Sequence, residues 1–532
     1  MKLPRVRIAV SVLVVSLAAC RDDPGSPQHW EKRLSGAKRS RDKMRVLEEL
    51  RESGKLAPTF TPMLCAELER ERLAAVKGAI AKLLGTLKDP SSVGPLTSAI
   101  DFGNSDASGN AMNREIANAL GRIGDSQSIP AVLRMLGSRD PYTEIEAINA
   151  LGALKAKSAV EPLIEIIVEQ RAEPFIVKKA IQALGEIGDP RAVPALVPLL
   201  FMEKRGGSFY VESSFALFQI GRPASDALLA VLRGEDKKLL SWARQNSVIT
   251  PAIYAKAAQL VGDFRDQRAE QALISQLGFR SEFIDLKLFV RMRAADALGR
   301  LRSAAAVGPL QAMLNEEEPP ARQEYIRALT RIGSRDAIPG MVKAASAGHW
   351  NLREPTAAGL AMLGDARELP ALEKLIANEG ALTKAECAED STAQGCANPE
   401  ELAKSHLAVL QRDAKVLQAA TACHADVSCW SKQLDHDDPL IRQRAALEIG
   451  RSKQGAQAAE LIKRIGEKNL EVRLALVQAA TWLMDVSSES TRPINLLQLI
   501  DKQLADDQGK TEFVRVNEDL RRLAIELKRH QA

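Results

Sequence analysis

The stretch Ala180–Leu200 reads AIQALGEIGDPRAVPALVPLL and decides the fold. Its first half places Ala180, Ala183, Leu184 and Ile187 at i, i+3, i+4 and i+7, one apolar stripe of a helix. Its second half repeats the pattern with Val193, Leu196, Val197 and Leu200. Between them Gly188 suits the left-handed conformation that ends helices, and Asp189 with Pro190 supplies a cap and first turn for the next. Pro198 sits inside the second helix, where it is expected to kink the chain. Two short amphipathic helices joined by a tight turn each leave a stripe uncovered, so the unit needs neighbours.

The sequence supplies them. Aligned on the glycine of Leu184-Gly185, the chain repeats Leu84-Gly85, Leu120-Gly121, Leu151-Gly152 and Leu298-Gly299. Leu217-Phe218, Val261-Gly262, Leu329-Thr330 and Leu360-Ala361 occupy the same register, and successive landmarks lie 31 to 44 residues apart. Pro95, Pro130, Pro162, Pro194, Pro309, Pro339 and Pro370 follow nine or ten residues later. Units with the shorter offset carry Gly124, Gly188, Gly333 or Gly364 three residues past the landmark; those with the longer one carry Lys88, Lys155 or Arg302. This pattern predicts two turn chemistries, a glycine terminator and a cation meeting the helix dipole with one extra residue in the turn.

The phrase resembles HEAT repeats, in particular the short bacterial, phycobilisome-lyase-like type with its ALGxIGDxxAVPxL pattern. The resemblance runs from Leu73 to Ala377 and, more faintly, from Asp437 to Met484 through HDDPLIRQRAALEIGR. It implies an all-α chain: antiparallel helix pairs stacked into an α-α superhelix, a HEAT-repeat solenoid with one concave face. It implies little about chemistry, because fold and function separate easily.

Composition agrees with thin, closely stacked helices, since apolar residues reach 45% while aromatics are only 4%. The net charge is +5, of which Lys2, Arg5 and Arg7 supply three, leaving +2 for the rest. That balance gives no support to nucleic-acid binding. Thirteen residues past each landmark the second helix holds Ser98, Arg134, Glu165, Pro198, Val231, Ser275, Ala312, Lys343 and Lys374. A backbone-tracking nucleic-acid binder would show one sign here. The row is mixed, so Arg134, Glu165, Lys343 and Lys374 are candidates for a partner surface, with a plain solvated face as the alternative.

The repeat phrase disappears between Asn378 and His436, a segment holding Cys387, Cys396, Cys423 and Cys429. Glu379–Glu401 reads as loop and Leu402–Ala420 as helix. In an exported chain an even cysteine set argues for disulfides. Of the three possible pairings the local ones, Cys387–Cys396 and Cys423–Cys429, are preferred, and a metal site drawing in His424 or His436 fits no common zinc spacing. The segment is expected to be an oxidised, flexible excursion that carries partner recognition. Cys65 is left over as a buried thiol. Past Met484 two amphipathic helices, about Pro493–Leu504 and Thr511–Arg529, are suited to cap the solenoid; Phe513, Val516, Leu520, Leu523 and Leu527 form the second one's stripe.

At the N-terminus Lys2, Arg5 and Arg7 precede an apolar run from Ile8 to Ala18, shorter than the ~20 residues of a membrane span. This is the layout of a secretory signal. Its end, Leu17-Ala18-Ala19-Cys20, resembles the lipobox of bacterial lipoproteins, which implies cleavage before Cys20, acylation of that cysteine and a stable membrane anchor. Arg21 stands where the resemblance puts aspartate for inner-membrane retention, which favours the outer membrane. The organisation read from sequence is therefore a signal peptide (1–19), a tether (20–28), the HEAT array (29–377), the cysteine-containing insert (378–436), and a degenerate repeat with capping helices (437–532). The basic run Lys32–Arg45 reads as a solvated helix face in preference to a surface for anionic head groups.

No catalytic constellation emerges. None of the six histidines adjoins a glutamate, so the His-Glu pairs of HEAT hydroxylases are missing. Gly509-Lys510-Thr511 lacks the first glycine of a phosphate loop, no G-x-S-x-G elbow occurs, and Asp438-Pro439 is a helix cap. Lyase activity would rest on the repeat name alone, and an envelope address speaks against pigment attachment. The expectation is a chain that is not an enzyme, with no cofactor and no metal. It is read as a lipid-anchored scaffold for an unknown envelope protein on the periplasmic face. The alternatives are an envelope enzyme with an unrecognised site and a cytoplasmic adaptor with an accidental lipobox.

Overall fold

The computed structural model describes residues 23–103, 106–169, 173–204, 207–314, 319–346, 348–486 and 496–531. Cys20 and the signal segment lie outside the described residues. Among the described residues the chain is all-α apart from one two-residue antiparallel pairing, Glu203–Lys204 with Gly207–Ser208. It forms two compact units, 1–189 and 190–532. Among the described residues no single helix is long and apolar enough to cross a membrane.

In the first unit the helices Ala74–Leu87, Ala107–Ile123, Pro141–Ala153 and Pro174–Ile187 stack in sequence order, with the short second helices Val93–Ser98, Ile129–Met135 and Val160–Val168 between them. The stacking explains the Ala-Leu-Gly phrase. A Cβ built on Gly85 would lie 2.8 Å from the Ala119 Cα, and one on Gly121 would lie 2.9 Å from the Ala150 Cα. Each landmark glycine thus receives the alanine that stands two residues before the next landmark. The leucine between them is fully buried. Gly121→Ala is accordingly expected to destabilise by about 1–3 kcal/mol, because backbone has to move. Gly94→Ala, on a second helix with open space around it, is the control and should be neutral or slightly stabilising in the same denaturant titration.

The second unit uses the same seam: a Cβ on Gly262 would meet the Ala297 Cα at 2.8 Å, and one on Gly450 the Ala479 Cα at 2.8 Å. One seam is inverted. Thr330 replaces the landmark glycine, and its partner position holds Gly359, where a Cβ would lie 2.7 Å from the Thr330 Oγ1.

The turns correct the sequence reading. Counting from Gly85, Gly121, Gly152, Gly262, Gly299, Thr330 and Ala361, the second α-helix starts eight residues later in each case, whereas after Phe218 it starts at Arg222, four residues on. No turn has an extra residue. The proline offset differs only because proline occupies the second or the third position of that helix. Lys88, Lys155, Arg265, Arg302 and Lys453 adopt φ of 49° to 57°, the left-handed conformation also taken by Gly124, Gly188 and Gly333. A side chain there costs about 1 kcal/mol or more, and the dipole attraction of its cation offsets part of that. A three-residue 3-10 turn stands before the second helix in each of the units with the eight-residue spacing, and Asp89, Asp125, Asp266 and Asp365 cap that turn rather than the α-helix itself.

Gly364 is the exception, with φ −78° and ψ 175°. The helix Trp350–Leu363 ends without a left-handed residue because arginines take its last carbonyls. Arg444 donates to the Ala361 oxygen at 2.7 Å, Arg451 to Met362 at 2.9 Å and Arg335 to Leu363 at 3.1 Å. Pro198 does not bend a continuing helix; Val193–Leu199 simply stops one residue after it.

The insert is not a flexible excursion. The helix Leu369–Glu389 runs well past Asn378, and Pro399–Cys423 begins directly after the short connection 390–398. The two pack on each other, and the second also packs on Trp350–Leu363 and Pro439–Arg451, so they take a place in the stack as one long pair. Alternation of Ala, Glu, Asp and Asn hid the helical stripe because the buried face here is polar. Cys387 is joined to Cys396 with Cα atoms 5.1 Å apart, and Cys423 to Cys429 with Cα atoms 5.4 Å apart, each bridge pinning a helix end. Cys65 is free and half-buried on the helix Thr61–Arg70, and burial pushes its thiol up to about 11.

Candidate functional site

The polar face of the long pair is a buried network. Arg353 is fully buried and grips Glu379 with two hydrogen bonds, Nε to Oε2 at 2.7 Å and Nη2 to Oε1 at 2.8 Å. It also donates to Glu386 and to the Gly348 oxygen. Thr383 donates to Glu379 Oε1 at 2.9 Å, His406 Nδ1 lies 3.0 Å from the same oxygen, and Trp350 stacks on the His406 ring with centroids 3.6 Å apart. Burial lowers the His406 pKa, against the pull of Glu379. A Thr-His-Glu set invites comparison with a nucleophilic triad, and its geometry refuses it. Thr383 and Glu379 both approach Nδ1, whereas a triad needs nucleophile and acid on opposite ring nitrogens. The network ties three helices together.

The better candidate lies inside the second unit. Its last helix, Val514–Gln531, returns to Tyr210–Ile220 and to the end of Thr250–Phe264. Arg522 meets Asp263 at 2.9 Å, and Arg265 reaches both carboxylate oxygens of Glu526 at 2.9 Å. The ladder continues inward: Asp263 to Arg300 at 2.6 Å, Arg300 to Asp296 at 3.1 Å, then Asp296 to Arg331. Four helices are thereby joined by alternating charges.

The ladder borders a chamber of about 1010 Å³. First helices of successive repeats line it, from Thr250–Phe264 through Leu470–Val486, together with Pro399–Cys423 and Val514–Gln531. Its apolar lining includes Met292, Met362, Leu447, Leu474 and Trp482. Arg293, Arg412 and Arg515 also line it, are exposed, and make no ion pair among the described residues. Arg293 rests over the Phe289 ring at 5.6 Å. Asp413 is 2% exposed at the wall, and burial pushes its carboxyl up to about 7, with Glu354 and Asp438 adding to the rise and Arg412 opposing it. A cavity of about 580 Å³ adjoins and shares Arg300 and Trp482 with the chamber.

The residues singled out from sequence lie elsewhere. Lys343 and Lys374 are exposed on second helices and do not line the chamber. Arg134 and Glu165 are exposed on second helices of the first unit, Arg134 over the Phe102 ring at 3.8 Å. The mixed row read from sequence lies on the second helices, whereas the chamber is lined chiefly by the first. A signal was present on the first: the residue after the landmark is Asp263, Arg300 and Arg331 in three successive units.

Comparison with known proteins places these repeats. The HEAT-repeat pattern matches residues 61–144, 129–204 and 308–389, and the PBS lyase HEAT-like repeat matches 290–316. The phycocyanobilin lyase subunit alpha of Nostoc sp. strain PCC 7120 is 37% identical over 98 residues, 17% of this chain and 36% of that protein. The protein of the same name from Picosynechococcus sp. strain PCC 7002 is 28% identical over 182 residues, 33% of this chain and 62% of that one. The match therefore spans between about a third and three-fifths of these relatives' own length. A solved phycocyanin lyase complex from Nostoc sp. PCC7120 aligns at 19% identity with a TM-score of 0.27, covering 51% of this chain and 94% of that one. The expectation that the chain is not an enzyme does not stand against this finding, since both relatives are named as lyase subunits. Repeat phrase, stacked helix pairs and matches agree over residues 61–204 and 290–389: these segments are HEAT repeats, with 290–316 of the PBS-lyase type.

Proposed function

We propose that the chain is a lipid-anchored HEAT-repeat scaffold of the bacterial envelope, favouring the outer membrane, that holds a partner protein in its second unit. The observation that carries the holding role is the chamber: a concave space of about 1010 Å³ whose wall sets arginines and carboxylates, Arg293, Arg412, Arg515, Glu354, Glu471 and Glu518 among them, around apolar side chains. A large concave space that combines apolar lining with convergent polar groups is where a binding site is first sought. The address rests on the signal-like run and Cys20, and the organisation follows, with a tether over 20–28 and repeats beyond. Disulfides in the long pair suit an oxidising compartment.

A fatty-acid probe should label the wild-type chain, which should stay in the membrane fraction. Cys20→Ser should lose the label and accumulate as precursor. A normally processed, soluble Cys20→Ser chain would overturn the anchor. In-cell crosslinking should capture one reproducible partner.

The likeness to phycocyanobilin lyase subunits favours a second reading, in which the scaffold takes part in lyase-like chemistry on its partner. Incubation with phycocyanobilin tests it. A shifted absorption band, and transfer to the captured partner, would support this reading; an unchanged spectrum would remove it.

A further inference from the structure

We propose that one edge of the first unit rests on the bilayer in which Cys20 is anchored. Leu73, Phe102, Tyr142, Val168 and Phe175 enter the head-group layer, and Lys38, Arg39, Arg41 and Arg72 meet its phosphates. The inference rests on the lipid anchor of the reading above and says which face of the fold meets the membrane.

The stacking puts the apolar side chains on one edge. A Cβ built on Gly78 would lie 3.4 Å from the Met112 Cα, and one on Gly85 would meet the Ala119 Cα, so these neighbouring first helices run the same way. Their N-termini lie side by side, and the second helices, running back, finish on the same edge. Leu73 directly precedes Ala74–Leu87, and Tyr142 and Phe175 are the second residues of Pro141–Ala153 and Pro174–Ile187. Val168 ends Val160–Val168, and Phe102 follows Val93–Ser98. All five are between 41% and 63% exposed. Single exposed apolar residues are ordinary, but a row of them along one edge marks an interaction surface. The three rings each carry a cation: Arg134 over Phe102, Arg114 over Tyr142 and Lys179 over Phe175. Apolar bodies with charged tips suit the boundary between hydrocarbon and head groups.

The start of the chain says what covers this edge. Trp30 is buried and its Nε1 donates to the Pro24 oxygen at 2.8 Å, so the tether is already docked from Pro24 onward. Only the steps from Cys20 to Pro24 are left, about 14 Å when fully extended. Glu31, in the helix Pro27–Gly36, lies 3.9 Å from Arg70, three residues before Leu73. A lipid on Cys20 therefore holds this end of the edge beside the bilayer.

The charges divide along the edge. In the basic run Lys32–Arg45, Arg33 pairs with Glu49, Lys43 with Glu67 and Glu71, and Arg45 with Asp42. Lys38, Arg39 and Arg41, at the start of Ser40–Glu52, and Arg72 beside Leu73 are exposed and make no ion pair among the described residues. Carboxylates without an ion pair are Glu69 at this end and Glu144, Glu169 and Glu173 at the other, beside Tyr142, Val168 and Phe175. Attraction to phosphates thus belongs to the tether end, and the far end enters by its apolar side chains.

The probe is the chain from residue 21 onward, which keeps every described residue and carries no lipid. It is mixed with vesicles of phosphatidylethanolamine and phosphatidylglycerol, or of phosphatidylcholine alone. The chain should float with the anionic vesicles in preference to the neutral ones, and added salt should narrow the difference. Combined Leu73→Glu, Tyr142→Glu and Phe175→Glu should weaken binding about tenfold or more with thermal unfolding unchanged. If that variant unfolds early, Tyr142→Ser alone, at an exposed position, should still weaken binding severalfold. Gln127→Glu, in a turn on the opposite edge, should leave binding as it is. Arg39→Gln, Arg41→Gln and Arg72→Gln together should remove the preference for anionic vesicles. No flotation, or flotation that the glutamates leave untouched, overturns the edge whether or not Cys20 takes a fatty-acid label. Self-association that the same glutamates abolish, without flotation, makes the edge a contact between copies and also overturns it. Flotation as expected from a chain whose Cys20 takes no label upholds the edge and overturns only the anchor.

Discussion

Arg353→Met should destabilise the second unit by about 3–5 kcal/mol, the largest single effect expected in this chain. Arg353 and Glu379 both have fully buried side chains and face each other through two hydrogen bonds. Methionine fills much of the volume, so the loss comes from Glu379 left charged and buried with only Thr383 and His406 beside it. Removing both partners is a different matter. Arg353→Met combined with Glu379→Leu should recover most of the loss, because no isolated charge remains. Urea titrations of the two variants check this. A single variant within about 0.5 kcal/mol of wild type would mean that water already reaches the pair.

Leu184→Ala should cost about 2–5 kcal/mol in the first unit. Leu184 is 1% exposed in the helix Pro174–Ile187, beside Ile181 and Ala180 in the same buried stripe. The spread reflects how far the neighbours collapse into the space left behind. Glycine and alanine already bring the neighbouring backbones close where Gly152 meets Ala183, so little collapse is available and the upper half of the range is expected. An undetectable shift in the denaturation midpoint would place Leu184 outside the packed seam.

Helix pairs, their order and their register could be read from the sequence because Ala-Leu-Gly recurs wherever one backbone touches the next. The local cysteine pairs were readable too, since each spans a short stretch. Turn geometry was misread at Lys88, Lys155 and Arg302. Proline position was taken for turn length, and a lysine in a left-handed conformation looks like any other lysine in a string of letters. The long pair at Leu369–Glu389 and Pro399–Cys423 was partly lost because its inward residues include Glu379, Thr383, His406 and Asp413. A stripe search weighted by hydrophobicity passes over them. The chamber was invisible for another reason: it sets Arg515 and Glu518 of Val514–Gln531 in one wall with Gln259 and Phe289, far earlier in the chain, and no local pattern records that return.

The inverted seam at Thr330 and Gly359 limits how this chain can be rearranged. Repeats of this kind invite shuffling, deletion or replacement by a consensus unit. Most junctions here would tolerate it, because each presents glycine on one side and alanine on the other. The junction at Thr330 would not. A consensus unit placed after it would bring alanine against threonine and force the helices apart, while one placed before Gly359 would set glycine against glycine and leave a gap. These two repeats can be inherited or transplanted only as a pair, which gives an otherwise modular chain one fixed reading frame in space.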